Sequence, residues 1–143
     1  MGEKLVRWKR STTSHDHNKN NYQVLLVDDE PDIIYSIRKV LETNGFVVDP
    51  YTDPTLALSN FRPKLYDLIL LDIKMPKMNG LDLYEQIMRI DPNAKVCFLT
   101  ASELFYEEYR KLEAHPRLNK AYFIQKPVPS KELINRIKEI LQS

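Results

Sequence analysis

Five polar or charged side chains stand just after short apolar runs of the sequence, where they could do chemistry together. Asp28 and Asp29 follow Val24–Val27, Asp72 follows Leu68–Leu71, Thr100 follows Val96–Leu99, and Lys126 comes shortly after Tyr122–Ile124. Short apolar runs without alternation are typical of strands that are covered on both faces. If these strands are parallel, their carboxyl ends lie along one edge of a sheet, and the five side chains converge there.

Three carboxylates in one cleft need a compensating positive charge. Two of them 4 Å apart repel by about 4 kcal/mol at an effective dielectric constant near 20. Mg²⁺ or Mn²⁺, which favour carboxylate oxygens, would supply positive charge, and Lys126 adds a fixed one. Such a cleft stabilises a dianionic phosphoryl group, so an aspartate can act as nucleophile while Thr100 donates its hydroxyl. These residue types predict phosphoryl transfer to an aspartate.

The segments between the apolar runs have the spacing of helices with one buried face. A fifth run, Phe46–Val48, completes the strands, so the order along the chain is five βα units. Right-handed crossovers then place helices on both faces of a parallel sheet. The helical series are Ile33, Ile37, Val40 and Leu41; Leu56 and Phe61; Leu81, Tyr84, Ile87 and Met88; Phe105, Tyr109 and Leu112; and Leu133, Ile137, Ile140 and Leu141.

Local signals predict where several helices begin and end. Glycine after a helix adopts the left-handed cap conformation without steric cost, and aspartate or serine caps a helix start, often before proline. Acidic side chains also suit the first turn. The predicted starts are Glu30-Pro31, Asp53-Pro54 and Pro129-Ser130, and the predicted ends are Asn44-Gly45 and Asp91-Pro92.

Composition favours one domain with a polar arm before it. The 143 residues, 43% of them apolar, are enough for one sizeable core. Residues 1–21 hold five basic and two acidic side chains and few apolar groups, so we expect a disordered basic arm there and a folded domain over 22–143. Cys97 is the only cysteine, and no apolar run approaches the roughly 20 residues of a membrane span, so we expect a cytoplasmic protein.

In order along residues 22–143, four segments resemble the receiver domains of two-component response regulators. LLVDDE matches the acid pair of that family, LILLDIKMPKMNG the phospho-acceptor strand and loop, CFLTAS the threonine position and FIQKPV the Lys-Pro position. The resemblance implies a doubly wound five-stranded fold of the flavodoxin-like type, with three α/β/α layers. It also implies that phosphate arrives from a histidine kinase or phosphotransfer protein, in a step catalysed largely by the receiver itself.

The resemblance also assigns roles to single residues. Asp72 would be the phospho-acceptor and Asp29 a direct Mg²⁺ ligand, Asp28 would act through water, and the backbone carbonyl of Lys74 would complete the protein ligands. No other cofactor is implied. The bond between Lys126 and Pro127 would be cis and would aim the lysine amine into the cleft.

Thr100 and Phe123 are the switch residues that the resemblance implies. Phosphorylation would alter the surface around the fourth helix, the fifth strand and the fifth helix, with Phe123 moving between buried and exposed states; a plain core role for Phe123 stays open. Three aromatics of the fourth helical segment, Phe105, Tyr106 and Tyr109, cannot all be buried by one helix. A protein partner or a phosphorylation-dependent homodimer is therefore expected there, and the sequence does not name the target.

Two other functions compete with a stand-alone, non-enzymatic receiver. An aspartyl-phosphate phosphatase on a similar scaffold would need a general acid where Lys74 stands. The second alternative is an adaptor whose basic arm binds nucleic acid or an anionic surface. A nucleotide-binding loop is disfavoured, because the three glycines Gly2, Gly45 and Gly80 are widely separated.

Overall fold

The computed structural model describes residues 21–101 and 122–143, and their strands form one five-stranded parallel sheet. The strand order is β2-β1-β3-β4-β5. The strands are β1 (Gln23–Val27), β2 (Val47–Tyr51), β3 (Leu68–Asp72), β4 (Val96–Ala101) and β5 (Tyr122–Lys126). The helices are α1 (Pro31–Thr43), α2 (Pro54–Ser59), α3 (Gly80–Ile90) and α4 (Ser130–Gln142). The predicted parallel sheet is confirmed.

Helices cover both faces of this sheet, which explains the continuous apolar runs. On one face Val24 and Leu26 of β1 pack with α1 and α4, for example with Ile37 and Ile137. Their neighbours in β1, Leu25 and Val27, point to the other face, where α2 and α3 contribute Ala57, Leu83, Tyr84 and Ile87. Because both faces of each central strand are buried, these strands read as continuous apolar runs without alternation, and their polar residues Gln23, Asp72 and Thr100 lie at or near strand ends. The three-layer α/β/α arrangement is confirmed.

The chain places β2 on one side of β1 and β3 on the other, so the strand order reverses at β1. From β1 it crosses to β2 on one side, and β3 then pairs with β1 on the other side. In open parallel sheets, the crevice at such a switch point is where ligands bind. Val27 pairs with Leu71, so Asp28 and Asp72 follow equivalent positions on adjacent strands. The register therefore brings the two acids to the same place at the edge.

Most predicted helix ends are confirmed. Pro31 opens α1 after Glu30, Asn44 closes it, and Gly45 follows with φ 90°. The Asp53 side chain caps α2 by accepting a hydrogen bond from the Thr55 amide. Asp91 closes α3.

Two boundaries differ from the prediction. Ser130 does not cap α4: it is already helical, and the cap residue Pro129 offers only its carbonyl, which accepts from the Leu133 amide at 2.9 Å. Strand β2 begins at Val47 and continues through Pro50, beyond the predicted run. Proline is tolerated there because β2 is an edge strand, where a missing amide costs no ladder hydrogen bond.

Several sequence predictions fall outside the described residues. These concern the basic arm and the fourth helical segment, which includes Phe105, Tyr106, Tyr109 and Leu112. The division into an arm over 1–21 and a domain over 22–143 stays a prediction. Within residues 21–101 and 122–143, each helix is too short or too polar to cross a bilayer.

Candidate functional site

Three acids meet at the carboxyl ends of β1 and β3. Asp28, Asp29 and Asp72 each present a carboxylate oxygen, and these oxygens lie within 4.8 Å of one another. Asp28 is fully buried and Asp72 is only 7% exposed, while Asp29 is partly open to solvent. The two strands place the acids there, because they are adjacent and parallel and both end at this edge. The cluster has the oxygen donors that a hard divalent cation prefers.

Lys126 joins this cluster from the end of β5. Its Nζ atom donates to Asp28 Oδ2 at 3.3 Å and to Asp72 Oδ1 at 3.4 Å. Since β4 lies between β3 and β5, the lysine side chain must extend past the end of β4 to reach the acids. The bond between Lys126 and Pro127 is cis, as the resemblance implied. One ammonium group thus contacts two of the three carboxylates.

Burial and charge set the protonation of the site. Burial, followed by the negative charge of Asp28, raises the pKa of Asp72 to about 6, and the positive charge of Lys126 opposes this rise. For Lys126, burial works to lower the pKa, but the charges of Asp28 and Asp72 outweigh it and leave the pKa raised. At neutral pH Asp72 is therefore mostly ionised and Lys126 is charged. Three carboxylates against one ammonium leave an excess of negative charge, which fits a divalent cation.

Thr100 lies at the same edge, near the end of β4. Asp72 pairs with Leu99, so Thr100 stands one residue further along the neighbouring strand. The residue is 2% exposed, and its hydroxyl donates to the Ala101 carbonyl over 3.5 Å, which is long for an O–H donor. Such a bond holds the hydroxyl weakly, so little is lost when the hydroxyl turns to another acceptor.

Residues 73–79, named the acceptor loop after the predicted role of Asp72, connect Asp72 to α3. The Gly80 amide donates to the Ile73 carbonyl at 2.7 Å and closes this loop. A Cβ atom at Gly80 would overlap the Asp72 carbonyl oxygen and lie 2.9 Å from Ile73 Cα. Gly80 is thus needed for the close backbone approach behind Asp72. The Lys74 side chain is exposed, and the ligand role of its carbonyl stays a prediction.

Phe123 is half-buried and makes core contacts. Its ring stacks on Phe98 with centroids 5.5 Å apart and planes 18° from parallel. Arg136 Nη2 donates to the Phe123 carbonyl at 3.1 Å, which ties this part of β5 to α4. These contacts agree with the core interpretation, and the switch role stays a prediction.

Sequence reasoning missed an ion pair beside the site. Lys77 Nζ, in the acceptor loop, donates to Asp53 Oδ2 at 3.1 Å. The hydrogen bond from the Thr55 hydroxyl, then that from Lys77, lowers the pKa of Asp53 to about 2. Asp53 was predicted only as a helix cap. Its second partner is 24 residues away, and no local pattern signals it.

A doubly wound sheet with an acid triad, a lysine and a threonine at its switch point defines a phospho-acceptor class of domain. Residues 24–138 match the response regulator receiver domain family, and the chain belongs to that family. Receiver domains are signalling modules of two-component systems. They accept phosphate and bind Mg²⁺ at an acidic pocket, and the cluster described above fits that property.

Particular relatives sharpen this assignment. The transcriptional regulatory protein DltR of Streptococcus agalactiae is 33% identical over 116 residues, which is 81% of this chain and 50% of that protein. The chemotaxis protein CheY of Treponema pallidum is 33% identical over 124 residues, covering 85% of this chain and 83% of that one. The non-phosphorylated HemR receiver domain from Leptospira biflexa superposes with a TM-score of 0.74 at 30% identity, covering 85% and 95% of the two chains. This chain spans about half the length of several transcriptional regulators it matches.

Proposed function

We propose that Asp72 receives the phosphoryl group in a two-component system, from a histidine kinase or a phosphotransfer protein. The observation that carries this proposal is the setting of Asp72: a buried carboxylate in contact with Lys126 Nζ and within 4.8 Å of the carboxylate oxygens of Asp28 and Asp29. An ordinary buried acid would avoid two like charges. Here the convergence of charge favours a polyanionic ligand together with a cation.

Asp72 acts as the nucleophile. With a pKa raised to about 6, its carboxylate is ionised at neutral pH, so an oxygen lone pair is available to phosphorus. A new bond forms between Asp72 and phosphorus as the bond from phosphorus to the donor nitrogen breaks. The donor histidine keeps that electron pair and leaves as the neutral imidazole after taking up a proton from water.

Lys126 and Thr100 stabilise the transferred group. Lys126 Nζ already lies 3.4 Å from Asp72 Oδ1, so it can pair with a phosphoryl oxygen once that oxygen is bound to Asp72. The Thr100 hydroxyl exchanges its long bond to Ala101 for a shorter bond to a phosphoryl oxygen. Both residues therefore bind phosphorylated Asp72 more strongly than unphosphorylated Asp72.

Mg²⁺ would be held by Asp28, Asp29, Asp72 and the backbone carbonyl of Lys74, with Asp28 acting through water. Mn²⁺ has similar ligand preferences. When bound, the cation neutralises negative charge on the transferring oxygens. What supports this site is that the three carboxylates, two of them deeply buried, already lie close together.

The output is a change of surface, and the chain acts as a signalling module in the cytoplasm, not as an enzyme with a turnover substrate. Movement of Thr100 toward phosphate opens space into which Phe123 can turn from its stack on Phe98. The affected surface includes β5 and α4, which the bond from Arg136 to the Phe123 carbonyl links. That surface would contact a protein target or a second phosphorylated copy.

Labelling with a small phosphodonor tests this proposal. The full chain is incubated with acetyl phosphate, with and without Mg²⁺, and examined by intact and peptide mass spectrometry. We expect one phosphoryl group on Asp72, formed quickly only with Mg²⁺.

Two matched aspartate-to-asparagine variants control this experiment. Asp72→Asn should remove labelling, and Asp32→Asn, at an exposed position in the first turn of α1, should leave it unchanged. A chain that stays unlabelled while a known receiver domain is labelled in parallel would contradict the proposal. Phosphate found on another residue would contradict the assignment of Asp72.

A further inference from the structure

An ion pair joins the two loops that flank the end of β1. Lys77, in the acceptor loop after β3, bonds to Asp53, in the loop after β2, at 3.1 Å. In the sheet β1 lies between β2 and β3, so this pair connects the neighbours of the strand that carries Asp28 and Asp29. The Lys77 side chain is 64% exposed and that of Asp53 is 24% exposed.

Lys77 holds a backbone conformation that residues with side chains rarely adopt. Its φ angle is 70°, and the Met78 amide donates to the Pro76 carbonyl at 2.7 Å, which makes a γ-turn centred on Lys77. Such strained residues persist where surrounding contacts hold them in place, and they are frequent near functional sites. The turn lies within the acceptor loop, whose seven residues directly follow Asp72.

Asp53 is a well-anchored partner for this strained loop. Its Oδ1 atom accepts from the Thr55 amide at 2.9 Å and from the Thr55 hydroxyl at 2.7 Å, which leaves Oδ2 for Lys77. The capped helix α2 is in turn fixed by Ala57, which is 1% exposed in the core. The lysine is therefore bonded to a carboxylate whose position the fold already determines.

We propose that Asp53 and Lys77 are positioning residues for phosphoryl transfer, and that their ion pair holds the acceptor loop in the γ-turn that presents its backbone to the site. This inference rests on the proposed function, because it assumes that Asp72 is phosphorylated. The path along the chain from the ion pair to the site is short. Lys77 is three residues after the predicted carbonyl ligand Lys74, and the loop returns to Ile73 through the Gly80 amide.

Single and double variants of the full chain test the pair. The changes are Lys77→Met, which keeps an unbranched side chain without charge, and Asp53→Asn, which keeps an oxygen to cap α2. A third protein carries both changes, and Lys77→Arg restores the charge. Arg38→Met is the matched control, since Arg38 forms an exposed 3.0 Å ion pair with Glu42 within α1, away from the acceptor loop.

The measurement is the labelling rate of Asp72 at saturating acetyl phosphate and Mg²⁺, well below the melting temperature. We expect each single variant to be about two- to five-fold slower, as suits an exposed ion pair. The double variant should be no slower than either single one, because one interaction is lost in all three. Lys77→Arg should recover most of the rate, and Arg38→Met should match the wild type.

Other results overturn the inference. Variants with wild-type rates, effects that multiply in the double variant, or an equal loss in Arg38→Met would each remove the positioning role. A change in melting temperature without a change in rate would show that the pair serves stability alone. If the wild type itself is not labelled, the proposed function fails first, so the two failures are distinguishable.

Discussion

The two ends of the parallel sheet carry the same residue types, aspartate and lysine, but surround them differently. At the carboxyl ends, Lys126 donates to the side chains of Asp28 and Asp72, and the third acid, Asp29, lies within 4.8 Å of both. One Asp28 oxygen also accepts from the Glu30 amide, but its other oxygen faces the lysine. At this end of the sheet, the charged side chains therefore contact one another.

At the amino ends the charged groups bond to backbone. Asp67 accepts from the Gln23 amide at 2.7 Å, and Asp91 accepts from the Lys64 amide at 2.9 Å. Lys95 Nζ donates to carbonyls at the end of α4, at 3.0 Å for Ile140. Each of these bonds closes a loop or a helix end. The charges therefore serve the fold, since their partners are backbone groups of segments 27 to 45 residues away in the chain.

Residue type alone therefore does not identify a functional site in this protein. An aspartate whose partners are backbone amides has its bonding satisfied by the fold. Three aspartates that share one lysine keep an excess of negative charge, which a divalent cation offsets. Substitutions at the carboxyl ends should therefore change phosphoryl transfer, and substitutions at the amino ends should change stability.

The largest expected effect is the loss of magnesium-dependent labelling in Asp29→Asn. Asp29 is the predicted direct ligand of Mg²⁺, and its loss should slow labelling by roughly a hundredfold or more, since even residues that only orient metal ligands cost about 10- to 100-fold when changed. The check is the labelling rate as a function of Mg²⁺ concentration. Asp67→Asn, at the amino end, keeps an oxygen for the Gln23 amide and should label normally. Equal losses in both variants would show that the two ends of the sheet do not differ in their role in phosphoryl transfer.

Asp72→Asn should stabilise the protein in magnesium-free buffer. The pKa of Asp72 is raised from 3.8 to about 6, so folding becomes less favourable as pH rises through that window. Above pH 6 the cost is about 2 to 3 kcal/mol, and the neutral asparagine removes it. Urea unfolding at pH 7.5 should show the full gain, and at pH 4 the gain should nearly vanish. A gain that does not change with pH would contradict the assigned cause.

The smallest of these effects is expected at the amino end. Lys95→Met removes the bonds to the last carbonyls of α4 and should lower the free energy of unfolding by about 1 to 2 kcal/mol. Its labelling rate should equal that of the wild type, as measured with acetyl phosphate. A slower rate in a folded Lys95→Met protein would mean that the two ends are coupled.

Much of the site could be predicted from sequence because it depends on strand ends. Once β1 and β3 are recognised as buried parallel strands, Asp28 and Asp72 must meet at one edge, and the structure shows that they do. The pair of Asp53 and Lys77 was missed because it depends on two loops that approach across a third strand. The close approach of Gly80 to the Asp72 carbonyl likewise appears only when loop and helix are folded together.

The sequence by itself determined the order of strands and helices, the burial of the apolar runs and the placement of Asp72 and Lys126 at strand ends. These follow from side-chain periodicity and hydrophobic burial, which act over a few residues. Tertiary structure alone decided three other features. These are the 3.4 Å contact of Lys126 with Asp72, the raised pKa of Asp72 and the strained turn at Lys77. Desolvation and charge pairing depend on distances between segments far apart in the chain, and packing sets those distances.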